Sequence, residues 1–175
     1  AYMPTLEDAV HMAERSAEVT HNHLEGIKGA QATSSAIWLA NDGALPEEIR
    51  GHIETTFGYD LSQTVDEIRP DYKFNETCQG TVPQSIICAL EATSYEDAIR
   101  NAISIGGDSD TVAAITGGIA EAMFGVPTAI SAKALTYLRA DMVEVINRFS
   151  TAEEPSLAAE QISGDPAILA RSHGQ

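Results

Sequence analysis

Residues 105–114 read IGGDSDTVAA, a Gly pair followed by two acids and two hydroxyls at what the pattern predicts is a helix start. Asp108 and Thr111 stand three apart and share a face over a first helical turn. Asp110 joins them once Gly106-Gly107 bends the chain inward. Behind them Ala113, Ala114, Gly117, Gly118 and Ala120 leave the helix with little side-chain bulk, so neighbouring backbones can come close. The stretch is therefore read as the start of a buried helix. Its tip is expected in the middle of a bundle, rigidly held rather than on a mobile rim.

Two readings of the acids compete. Asp108 as an N-cap and Asp110 as a first-turn acid is the simpler one, and spacing alone favours it. It leaves the Gly pair and the all-small helix face unexplained. The other reading gathers two carboxylates and the Thr111 hydroxyl around a cation. With no His or Cys in the cluster, such a donor set suits Mg or Mn rather than zinc. The positive end of the helix dipole opposes a cation and stabilises the acids; two acids outweigh it. An EF-hand loop is excluded, because the run after Asp110 lacks the further oxygen ligands and the closing Glu.

Outward from this stretch, helical periodicity recurs along the chain. Helices are expected from about 5 to 19, opened by Thr5-x-x-Asp8; from 24 to 40, stopped by Asn41-Asp42-Gly43; and from Leu45-Pro46-Glu47-Glu48 to Phe57-Gly58. The segment 59–80 is polar and irregular, with a turn of helix near 65–68. Val82-Pro83 opens a helix to Ala92, Ser94 caps one to Ser104, and the quoted stretch begins one that ends at Phe124. A last helix is expected from Thr128 to Phe149. Strand-like alternation is nowhere sustained, and short loops between such helices predict an all-α multi-helix bundle. Residues 1–151 are expected to be one helical domain and 152–175 a surface tail.

The composition bounds the partners. Ten Lys and Arg against 26 Asp and Glu give a formal charge of −16, which argues against nucleic acid or anionic membrane as partners. An anionic substrate must then meet a local positive feature such as a metal ion or a helix N-terminus. Cys78 and Cys88 fit no zinc pattern and read as reduced thiols. No apolar run approaches the ~20 residues of a membrane span, and the opening AYMPTLEDAV has no signal-peptide pattern and no initiator Met. A soluble, cytoplasmic chain is expected, either processed or a piece of something longer. His11, His52 and His173 read as solvated, His23 as a cap or surface residue, and Trp38 as core.

Three segments in order then resemble the ADP-ribosylglycohydrolase family. Gly106-Gly107-Asp108-Ser109-Asp110-Thr111 is similar to its C-terminal metal motif. Thr20-His21-Asn22-His23 followed by Gly26-Ile27-Lys28-Gly29-Ala30 is similar to its His segment, and Ser94 to Ile99, preceded by Val82-Pro83, to the lead into the metal motif. The resemblance covers roughly residues 15–125. It implies an all-helical fold with two divalent cations, Mg or Mn, that bind the ribose of an ADP-ribosyl substrate and assist cleavage of its bond to a protein or small-molecule acceptor. By the same resemblance Asp108, Asp110 and Thr111 are metal ligands, with Asp110 the bridge. Ser109 and the Gly106-Gly107 amides line the ribose or phosphate side, and His21 contacts substrate. The catalytic acid or base is unassigned. Family members also carry a Gly-Asp-x-x-Gly stretch with a Glu ligand and a Thr-Asp-Asp triplet, which this sequence lacks. The chain is thus expected to be the back portion, poorly active alone and completed by a companion N-terminal fragment. The alternative is a noncatalytic helical scaffold or binding protein; a generic acidic partner-binding module is a third reading.

Overall fold

The structure is a computed structural model that describes residues 3–153. These form nine α-helices and no strand among the described residues: α1 (Leu6–His21), α2 (Leu24–Asn41), α3 (Pro46–Phe57), α4 (Val65–Ile68), α5 (Cys78–Leu90), α6 (Tyr95–Ser104), α7 (Ser109–Phe124), α8 (Thr128–Leu135) and α9 (Ala140–Glu153). The all-α expectation holds. Local chemistry explains most of the boundaries. Thr5 Oγ1 accepts from the Asp8 amide to open α1. His23 Nδ1 accepts from the Glu25 amide to open α2, giving His23 its capping role. Thr64 and Ser94 cap α4 and α6 in the same manner, since each supplies an acceptor to an orphan first-turn amide.

Two boundaries differ from expectation. α5 starts a turn earlier than Val82-Pro83, because Asn75 Oδ1 binds the Thr77 amide and hydroxyl at 2.8 and 2.7 Å and Thr77 Oγ1 then caps the Gly80 amide. Pro83 sits inside the helix and is buried. The single helix expected over 128–149 is two. Thr136, Tyr137 and Leu138 donate to carbonyls three residues back, a tightening that ends α8, and the Arg139 guanidinium grips Asp141 beyond the break, at the start of α9. α9 runs on to Glu153, into the segment expected to be tail. The remainder of that segment, 154–175, lies outside the described residues, as does His173.

The chain divides into two compact units after Ser131. In the first, α2 packs against α1, α3, α5 and α7, and α7 against α5 and α6. Small residues make this possible. A Cβ on Gly29 would stand 3.1 Å from Cys78 Cβ and 3.3 Å from a Val82 methyl, and one on Gly117 would stand 3.2 Å from Ile99 Cδ1. Ile49, Ile53, Leu61, Ile86, Ile87, Val112 and Ile119 fill the core completely buried, each worth about 1.5–3 kcal/mol of transfer free energy. Thr116 Oγ1 donates to the Ser85 carbonyl at 2.9 Å and so ties α7 to α5. Cys78 and Cys88 are both free thiols. Burial pushes Cys88 up to about 12, aided by Glu91. His52, expected in solvent, is half-buried with its ring edge toward Phe57. Trp38 is half-buried and donates through Nε1 to the Met3 carbonyl at 2.9 Å. The second unit contains α9. No helix of the described residues is long and apolar enough to cross a membrane.

Candidate metal centre

The connection from α6 to α7 is built on two left-handed residues, Gly106 at φ +76° and Gly107 at φ +65°, a region that favours glycine. At Gly107 there is a second reason. A Cβ there would stand 2.6 Å from Tyr72 Cε1 and 3.1 Å from the Lys73 carbonyl, whereas one on Gly106 would meet nothing within 4 Å. The Gly pair thus turns the chain sharply while Tyr72 lies flush against it. The Gly106 amide donates to the Ile103 carbonyl at 3.2 Å, so its hydrogen bond is made within the turn. The Gly107 amide makes no such bond within the described residues.

After the turn, Asp108 occupies the N-cap position of α7, and its carbonyl accepts from Val112 at 3.0 Å. Its carboxylate makes no capping bond. The simpler reading, Asp108 as N-cap and Asp110 as first-turn acid, holds for position, while the side-chain capping bond is absent. The Asp110 carboxyl lies two residues on, in the first turn of α7, and the neighbouring Asp108 side chain, then the amides of Asp110 and Thr111, hold it below the usual carboxylate range. Two neighbouring carboxylates favour something positive between them, a proton or a cation. Asp108 and Ser109 are half-buried, and Asp110 and Thr111 are exposed. The expected enclosure in the middle of the bundle is corrected accordingly: within the described residues the motif is open on one side, because Asp110 and Thr111 point off the first turn of α7 and not into its packed face.

The donor chemistry fits a hard cation in part. Two carboxylates and one hydroxyl are all-oxygen, but among the described residues no three His, Cys, Asp or Glu side chains gather closely enough to hold a metal ion. His21 ends α1, exposed, with Nδ1 at 2.8 Å from Thr20 Oγ1. Its carbonyl is packed by Gly26, where a Cβ would stand 2.8 Å away. No hydrogen bond or ion pair within the described residues joins His21 to Asp108 or Asp110. Tyr72 is the residue that motif reading overlooked. It comes from the irregular 59–80 segment, and nothing in the sequence signalled it, since the positive φ of Gly106 and Gly107 accounts for both glycines without a close neighbour.

The sequence matches the family model of ADP-ribosylglycohydrolase over residues 1–162. No curated protein and no solved structure matches the chain.

Proposed function

We propose, for a chain that belongs to the ADP-ribosylglycohydrolase family, metal-dependent hydrolysis of the glycosidic bond that joins ADP-ribose to a protein or small-molecule acceptor. The observation that supports the metal part is the placement of two acids at the start of α7, Asp108 at the N-cap with its carboxylate not consumed by the cap and Asp110 in the first turn. Asp108, Asp110 and the Thr111 hydroxyl would hold divalent cations, Mg or Mn. When bound, such ions would supply positive charge that orients ribose hydroxyls and favours attack of water at the anomeric carbon. The chain's own contribution is positional. The Gly106-Gly107 turn fixes where the two carboxylates point, and the Gly107 amide and Ser109 at the start of α7 offer donors to a phosphate, which the helix dipole favours. His21 contributes a substrate contact. Two octahedral ions require about a dozen ligand positions, so most must come from outside residues 3–153: from a companion segment or chain, from water and from substrate.

One observation favours a second reading, a noncatalytic helical scaffold of the same family. No third carboxylate or His joins the pair among the described residues. Calorimetric titration of Mn2+ into the chain, with and without ADP-ribose, separates the two. The hydrolase reading expects Mn2+ binding that strengthens with ADP-ribose and falls about tenfold or more in Asp110→Asn; no Mn2+ binding in either condition would leave the scaffold.

A further inference from the structure

The start of α2, the α3–α4 connection and the start of α5 enclose an open cavity of about 340 Å3 within the first unit. Its size falls in the range of small-molecule sites. Glu25 and Lys28 come from α2, Tyr59 and Asp60 from the connection, and Gln79 and Gln84 from α5. Three polar atoms of this lining, Glu25 Oε2, Tyr59 Oη and Gln84 Oε1, are buried with no hydrogen-bond partner in the protein. Folded proteins leave a few such atoms per hundred residues, and three of the five among the described residues belong to this one small cavity, Glu25 Oε2 having only the Lys28 ammonium as an ion-pair neighbour. Tyr59 is only 6% exposed, and burial, then the neighbouring Cys78 and Glu25, push its phenol up to about 12. Its hydroxyl remains a neutral donor at any physiological pH.

The charges narrow the class of ligand. The Lys28 ammonium stands 3.8 Å from Glu25 Oε2 and 4.4 Å from the centre of the Tyr59 ring, so the cavity already holds its own cation. An incoming cation would be repelled by Lys28, and an anion by Glu25 and Asp60. A hydroxyl avoids both penalties, because it donates to the Glu25 and Gln84 oxygens and accepts from Tyr59 and Lys28. We infer that this cavity binds a small neutral polyhydroxylated molecule, held by Glu25, Lys28, Tyr59 and Gln84. The site shares no residue with the Asp108–Thr111 cluster, so it stands or falls independently of the metal reading.

The test is backbone-amide NMR of the full chain titrated with myo-inositol as the neutral polyol and with N-ethylguanidinium as a cationic probe. Saturable shifts confined to Glu25, Lys28, Tyr59, Gln84 and their neighbours are expected with inositol. Tyr59→Phe keeps the ring beneath Lys28 and removes only an unpartnered hydroxyl, so the fold is retained and inositol binding weakens about tenfold. Absence of saturable shifts with inositol would mean that water alone meets these atoms, and tighter binding of N-ethylguanidinium would replace the ligand class. Either result overturns the proposal, as would inositol affinity unchanged in Tyr59→Phe.

Discussion

At Gly107 the backbone and the neighbours agree on one residue type. φ is +65° and a Cβ would overlap the Tyr72 ring, whereas Gly106 carries only the φ requirement. Ala at a left-handed position costs about 1–2 kcal/mol. Gly106→Ala should therefore lose about that much by chemical denaturation, and Gly107→Ala distinctly more, since Tyr72 must also move. Equal losses would show that the Tyr72 contact carries no weight. Two fully buried hydroxyls give the opposite comparison. Thr116 Oγ1 donates across α7 and α5, while Ser35 Oγ on α2 has no partner in the protein. Thr116→Val should cost about 1–3 kcal/mol and Ser35→Ala be neutral or slightly stabilising; denaturant midpoints of both variants check the pair.

At the scale of the helix, capping by side chains makes the bundle acid-sensitive. Asp97 in the first turn of α6 accepts from the Thr93 amide and hydroxyl at 2.8 and 3.0 Å, which lowers its pKa, and Glu67 does the same for Thr64. A carboxylate whose folded pKa is depressed stabilises the fold above its unfolded pKa, about 4, and the gain disappears as pH falls through the lower folded value. Asp97→Asn should therefore be less stable than wild type at neutral pH and draw level with it once the pH has fallen through the depressed folded value, as urea denaturation at a series of pH values would read out. Helix starts of this kind were legible in the sequence, because Thr5, Ser94 and His23 act through residues two or three along the chain. The start of α7 was legible in part: its position followed from Asp108, but the open side of the motif did not. The break over 136–139 was not legible, since Thr128 to Phe149 carries no Gly or Pro and the interruption rests on three shortened backbone bonds. The cavity was invisible for another reason. Glu25 and Lys28 are one helical turn apart, but Tyr59 and Gln84 lie far from them in sequence and join them only in the folded unit, where α2 and α5 pack through Gly29.

For the whole molecule, a formal charge of −16 favours long-range attraction of divalent ions and opposes an anionic ligand. The bundle supplies rigidity through α2, α5 and α7, and leaves Asp110 and Thr111 exposed. The central proposal is that the Asp108 and Asp110 carboxylates at the start of α7 share a cation. Crystals of the chain grown with Mn2+ and measured at the manganese absorption edge test it directly. The expected result is an anomalous peak within ligand distance, about 2.0–2.2 Å, of both carboxylates. An anomalous map with no peak there, or with the two carboxylates turned away from each other, would contradict it.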